Sequence, residues 1–575
     1  MESMTQEPAV RSTANPAVSE PDPAQPIRSV IRRDNFLLAG LALLCLLPFC
    51  GKPFHVDDIL FVSAAKQIVQ HPLDPYGFTI VWYRFAMPMA EVTKNPPLAS
   101  YYGALVGVVA GWSERVWHLG FLLPALALIL GTYRLAGHFT QQPLTATASA
   151  LLTPVFMVSA TGVMCDVMML ALWVWATIFW IEGFDPLKPA YLVTSALLIT
   201  AAALTKYFGA SLILLLLFYS LMRQRRLGSW TWYLLLPVAA LAGYQFWTHA
   251  LYGRGLLSDA AMYAHFKPAN QQLPFLQESL VGLSFAGGCV IPTLTLAPLL
   301  WSRKQVAIGA VLSGLAGLAV AAGWGHLSTH VTHWGWVEIQ LAFFVAGGIS
   351  LLALAVIDAW KNRNADSSFL TLWVLGTFVF AVYVNWTANG RSVLPLIPAA
   401  GILIARRLEA RPKFVSPARL TVPLGVAGVL ALWIACADAG WADSAKNAAD
   451  LIHQKTQSEA GTVWFAGHWG FQYYMQAYGA QPVDISNFSS SFHAGDFVVL
   501  PKNNTNLFEI APEFVTSREV IELPMPRRAA TMCPELGAGF YSSVWGPLPF
   551  AIGPVTPERY SVLRLGKPPA ARGSQ

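Results

Sequence analysis

The sequence predicts a mainly α, polytopic membrane protein of about thirteen transmembrane helices followed by a small mixed α/β C-terminal domain. Three observations predict it. Of 575 residues, 55% are hydrophobic and only 12% charged, about half the charge of a soluble domain, with a mean hydropathy of +0.48. The apolar residues form blocks long enough to cross a bilayer instead of alternating with polar ones. The basic residues fall in short loops between the blocks, and with the N terminus in the cytoplasm nearly every cluster lands on that side.

Residues 1–34, rich in Pro, Ala, Ser and charge, read as a disordered cytoplasmic tail. The block from Phe36 ends in GKPFHVDD with no small-residue cleavage site, so it reads as an uncleaved first span. Further blocks begin near Val116, Leu144, Val167, Pro189, Phe208, Trp230, Leu280, Val306, Trp336, Phe369, Val393 and Leu420. The cytoplasmic loops then hold Arg134, Lys188, Arg223 to Arg226, Arg303 and Lys304, Lys361 and Arg363, and Arg406 through Arg419. A long first outer loop runs from Gly51 to Arg115. Within it, Pro96 to Trp112 is apolar but short, and counting it as a span would reverse every later loop. It reads as an interfacial or re-entrant helix, with an ordinary short span as the alternative. Residues 35–438 thus form the transmembrane unit. From 439 to 575 the chain turns hydrophilic, and runs such as TVWFAG and DFVVL between turn residues predict an extracytoplasmic domain.

A net charge of +6 with no basic stripe speaks against a nucleic-acid partner. The six cysteines are scattered without a CxxC, so no disulfide framework is implied.

The residue types that can do chemistry gather on the outer side. His55-Val56-Asp57-Asp58 follows the first span directly. Adjacent carboxylates can serve as a general base or bind a divalent metal, while the plain alternative is that Asp57 caps a helix. Lys94-Asn95-Pro96-Pro97 places a lysine beside a helix N terminus, a plausible phosphate site; a snorkelling lysine is the alternative. Asp166 opens the fourth span, Lys206 ends the fifth and Arg391 precedes the twelfth. Lys94, Lys206 and Arg391 run against the positive-inside bias, and an anionic ligand is the natural reason. His265 lies in an outer loop within reach of a substrate. His326, His330 and His333 stand at near-helical spacing without a carboxylate or cysteine, and read as plain interfacial histidines.

These residues, in this order, resemble the C-type glycosyltransferases, above all the bacterial branch of protein mannosyltransferase-like and aminoarabinose transferase-like enzymes. The resemblance lies in the acidic pair Asp57-Asp58 after the first span, Pro96-Pro97-Leu98 with Tyr101, and Asp166 before MMLAL. It continues in Leu204-Thr205-Lys206 and in Arg391 before Leu394-Pro395, and covers roughly residues 36–408. Two departures stand out. The family's pair is usually Asp-Glu, and a basic residue usually precedes the prolines where this chain has Asn95, leaving Arg84 as a substitute phosphate contact.

The resemblance implies an integral-membrane enzyme moving a sugar from a polyprenyl-phosphate donor to a glycolipid, glycan or protein acceptor, with inversion. It implies Asp57 or Asp58 as the base and Asp166 as an orienting or metal-binding carboxylate. Lys94, Lys206, Arg391 and Arg84 would face the donor phosphate, and Asn95, Tyr101 and His265 the substrate pocket. No cofactor is specified, and a divalent metal on Asp57 and Asp166 stays open. The place implied is the plasma membrane, with site and C-terminal domain on the periplasmic or extracytoplasmic face. A lipid-linked sugar flippase or a non-catalytic scaffold is the alternative. One-sided charges in loops and the lack of an internal repeat weigh against a transport path.

Overall fold

The computed structural model describes residues 25–266, 272–320, 330–412, 416–487, 492–525 and 528–566. Most of the predicted tail, and His326, lie outside the described residues. From Gln25 the chain is already helical and runs into the first apolar block as one helix, Gln25–Leu46. The end of the predicted tail is therefore helix, in keeping with a stretch that has no proline after Pro26.

Helices occupy the apolar blocks throughout. Among the described residues seven are long and apolar enough to cross a bilayer, or eight if the bent pair Pro143–Leu151 and Pro154–Ala160 is one span. Helix length thus does not confirm the expected count of about thirteen spans, for local reasons. The pair is bent by 66° at its break, where Pro154 disfavours helix at Thr153 and lacks an amide donor. Pro189–Thr205 has 17 residues and Phe275–Cys289 has 15, short of the roughly 20 that cross a hydrocarbon core. Leu98–Ala110, inside the first loop, has 13. The chain is nonetheless a multi-pass membrane protein. Leu105, Val109, Phe246 and Val429 stand exposed on helix exteriors, a surface suited to lipid tails.

The helical body has two chemically distinct ends. Arg134 with Glu182, Arg223 with Asp366 and Arg406 with Asp358 form ion pairs at one end. The helix Asp166–Phe184 carries Glu182 there and Asp166 at its opposite end, about 24 Å away along the axis. Asp57, Lys206 and Arg391 lie at the Asp166 end.

A 40-residue helix, Pro417–Thr456, passes through position 439, where the composition changes. At 1.5 Å per residue it measures about 60 Å, twice a hydrocarbon core. Its last turns pack Ala448, Ala449 and Ile452 against Phe465 and Tyr560 of a five-stranded mixed sheet and against Phe471 of the helix Trp469–Ala477. The strands are β1 (Val463–Phe465), β2 (Gln481–Pro482), β3 (Phe497–Pro501), β4 (Val515–Leu523) and β5 (Glu558–Leu565). Their order is β2-β1-β3-β5-β4, parallel at the first two junctions and antiparallel at the last two. Not all of the hydrophilic C-terminal region belongs to this sheet. Residues 529–552 leave it and pack into the helical body, with Phe540, Leu548 and Phe550 fully buried there.

Phe275–Cys289 and Trp334–Asn362 approach closely because glycines meet at their crossing. A Cβ on Gly287 would lie 1.9 Å from the Phe344 carbonyl oxygen, and one on Gly348 would lie 2.2 Å from that of Leu283. Small residues let helix backbones touch where lipid supplies no hydrophobic drive. Gly348→Val should therefore cost about 2 kcal/mol or more through overpacking, lowering the thermal unfolding midpoint in detergent. Gly376→Val, whose Cβ meets open space, should leave the midpoint nearly unchanged.

Candidate active site

The site starts from one strained residue. Val56 has φ of 46°, a left-handed conformation that costs a β-branched residue on the order of 1–3 kcal/mol. The backbone just before it is pinned at two amides. The Phe54 amide donates to the Tyr474 hydroxyl (2.8 Å) and the His55 amide to Asp58 Oδ2 (2.8 Å). The turn sends the adjacent carboxylates to different places.

Asp58 is fully buried, and its other oxygen accepts from the Val163 amide at 3.1 Å. Burial pushes its carboxyl up to about 7, against the pull of Lys52 and the two amides. Asp57 occupies the N-cap position of the helix Asp58–Gln70, yet its side chain caps nothing. It is 24% exposed, and its Oδ2 accepts from Arg391 Nη1 at 2.9 Å.

Arg391 sits in a four-residue helical turn, Gly390–Val393, capped by the Asn389 side chain on the Ser392 amide. Burial disfavours its charge, but Asp57 and Asp166 together hold it firmly protonated. Its Nε is buried and has no hydrogen-bond partner among the described residues. Asp166, in the first turn of its helix and 2% exposed, accepts from Lys206 Nζ at 2.5 Å. Lys206 reaches it from the extended residue that ends Pro189–Thr205. Asn95 joins this side, its Oδ1 accepting from the Cys165 thiol at 3.6 Å.

Lys94 lies one layer outward, with its Nζ 2.6 Å from Asp259 Oδ2 and 5.3 Å from the Tyr263 ring centroid. Arg254 completes that outer cluster, 3.3 Å from Glu91 and 3.6 Å from Asp259. Tyr263 links the two layers. Burial, Tyr83 and Asp57 all push its hydroxyl well above the usual phenol range.

Beneath the site is a buried polar network. Lys52 Nζ lies 2.6 Å from Asp438 Oδ2, with the two side chains 1% and 0% exposed. Asp438 also accepts from the hydroxyls of Thr531 (2.7 Å) and Tyr541 (3.0 Å), and His55 Nε2 stands 3.6 Å from it. Burial lowers the His55 pKa against the pull of Asp438.

The carboxylates do not offer the oxygen-rich set that a divalent metal takes. Asp57 carries Arg391 and Asp166 carries Lys206, and no group of three or more metal-ligating side chains occurs among the described residues. What the arrangement can do is take a proton at a reachable carboxylate while two fixed cations face an anion.

Residues 94–248 match the family described as dolichyl-phosphate-mannose-protein mannosyltransferase. That stretch contains Lys94, Asn95, Asp166 and Lys206. The match covers about a quarter of the chain. No curated protein matches the chain. Among solved structures it is similar to the apo oligosaccharyltransferase of Archaeoglobus fulgidus, at 13% identity over 83% of this chain and 70% of that one, with a TM-score of 0.49. It is also similar to apo ArnT from Cupriavidus metallidurans, at 13% identity over 83% and 93% of the two chains, with a TM-score of 0.39. The same protein bound to undecaprenyl phosphate gives 13% identity, 81% and 92% coverage and a TM-score of 0.39.

Of the residues expected from the C-type glycosyltransferase pattern, Asp57, Asp166, Lys206, Arg391 and Asn95 come together, with Asp58 sealed behind them. Lys94 is adjacent but engaged by Asp259. Three lie elsewhere. Arg84 donates to the Leu507 carbonyl and so ties the first loop to the C-terminal domain. The Tyr101 hydroxyl donates to the Pro72 carbonyl, since its helix turns it toward the rim. His265 is exposed at the end of Leu256–His265, and nothing among the described residues links it to the carboxylates. The sequence reading missed Lys52, Asp438 and Tyr541. Asp438 had a signal, a lone acid inside the apolar run IACADAGW, which calls for a partner.

The unfolded chain releases the Asp58 proton near pH 3.9, as an ordinary Asp does, whereas the folded protein holds it to about 7. The stability that this difference contributes is fully present below the lower value and is lost as pH rises through the higher one. Asp58→Asn should therefore flatten the fall in thermal stability between about pH 4 and pH 7, as measured by unfolding in nanodiscs.

Proposed function

We propose that the chain is an integral-membrane glycosyltransferase that moves a sugar from a polyprenyl-phosphate donor to an acceptor hydroxyl at the extracytoplasmic face, with inversion. The observation that carries this reading is the reachable Asp57 paired with Arg391, beside Asp166 and Lys206. Asp57 takes the proton from the acceptor hydroxyl, and that oxygen forms a bond to the anomeric carbon. The carbon–oxygen bond to the lipid phosphate breaks from the opposite face, and its electron pair leaves with the phosphate. The phosphate departs already charged, so cations serve it better than a general acid. Arg391 and Lys206 supply them in a water-poor site, and the unpartnered Nε–H of Arg391 gains an acceptor. Asp166 holds Lys206 in place. Lys94, paired with Asp259, stands one layer further out.

A donor with its polyprenyl tail in the bilayer requires a site at the membrane surface, and the cluster lies at the ends of the apolar helices. The distribution of basic loops supports placing this end outside the cytoplasm, in the periplasm of a bacterial plasma membrane.

The test is sugar transfer by the full-length protein in nanodiscs, offered a panel of polyprenyl-phosphate sugars. Asp57→Asn should lower kcat by about 10²- to 10⁴-fold while polyprenyl phosphate still binds. Unchanged turnover in folded Asp57→Asn would remove the base. Passage of the lipid-linked sugar across the bilayer without transfer would favour a flippase.

A further inference from the structure

The segment 529–552, which leaves the sheet domain and enters the helical body, ends its path against the turn that carries Arg391. The Gly390 amide donates to the Phe540 carbonyl at 2.7 Å, and the Ser543 amide donates to the Ala388 carbonyl at 2.8 Å. Gly390 has no room for a side chain, since a Cβ there would lie 2.5 Å from the Phe540 ring. Between these contacts Tyr541 presents its ring to Arg391, whose guanidinium carbon is 5.7 Å from the ring centroid. A guanidinium this close to an aromatic face is held by the ring quadrupole.

Arg391 needs such a wall. Its ion-pair bond is a single one, from Nη1 to Asp57, and its Nε has no partner among the described residues. Nη1 also donates to the Met164 sulfur at 2.9 Å, but contacts through one nitrogen leave the plane of the fork free to swivel about it, and the ring narrows that freedom. The ring is held in place by the rings of His55, Trp441 and Phe540 packed around it, while its hydroxyl donates to Asp438, itself fixed by Lys52 and Thr531.

We propose that Tyr541 is a positioning residue, which aims the Arg391 guanidinium at the leaving phosphate and makes the site incomplete without the C-terminal segment. The proposal rests on the glycosyltransferase reading for its ligand, and it assigns that segment a part in donor binding.

The test separates electronic from structural effects in the full-length protein. Position 541 is replaced by phenylalanine (Tyr541→Phe) and then by its mono-, di- and trifluorinated analogues, which weaken the ring quadrupole at nearly constant shape. Binding of sugar-free polyprenyl phosphate is measured in nanodiscs, with sugar transfer assayed in parallel. The Kd of Tyr541→Phe should stay within about threefold of wild type, because the ring is kept. It should then rise with each fluorine to about tenfold, with the acceptor KM unmoved. A Kd that stays flat across the series would overturn the proposal. Wild-type protein that binds polyprenyl phosphate but transfers no sugar would overturn the glycosyltransferase reading alone, leaving Tyr541 to be judged on the Kd series.

Discussion

Lys52 and Asp438 meet 2.6 Å apart with almost no access to water, and the shape of the site depends on that pair. Each charge alone would be costly at this depth, and removing one partner from a buried pair typically costs about 3–5 kcal/mol. The pair therefore forces three distant stretches of chain to coincide: the exit of the first helix, the middle of the long terminal helix, and the segment bearing Thr531 and Tyr541. Once they coincide, His55 is wedged against Asp438 and the chain must turn sharply at Val56. That turn sets Asp57 and Asp58 on opposite courses.

The divergence resolves a problem of chemistry. Two adjacent carboxylates in one site would repel each other and share protons. Here Asp58 is consumed by the fold, since its oxygens hold the amides of His55 and Val163. Asp57 keeps partial access to solvent and a guanidinium partner. One acid thus maintains the strained turn that presents the other. The same division recurs at Asp166, whose burial is matched by Lys206, so the site holds cations in place before any anion arrives.

Much of this was legible in the sequence. Charges that defy the positive-inside bias could be picked out from loop composition, and Lys206 and Arg391 do face carboxylates. Helix capping, the plain alternative for Asp57, fails because its side chain is drawn to Arg391, 334 residues away. Other features were not legible because their causes are long-range. Arg84 and Tyr101 find backbone carbonyls that only the folded loop brings near. Nothing local in 529–552 announces that it will leave a hydrophilic domain for the helical core. Its small and aromatic residues fit a groove that exists only after the helices pack. The span count goes unconfirmed where proline and short helices break apolar blocks that composition reads as continuous.

The terminal helix from Pro417 adds one more consequence. Asp438 lies about 30 Å along it from its start, which is one hydrocarbon thickness. The helix works as a ruler. The height of the ion pair above the far membrane surface is a count of residues, and the sheet domain is held at a fixed further distance. Adding one residue below Asp438 would lift it by about 1.5 Å and swing it through about 100°, away from Lys52. A bilayer of different thickness can be met only by tilting the whole rod, so the protein's environment and the alignment of its site are mechanically linked.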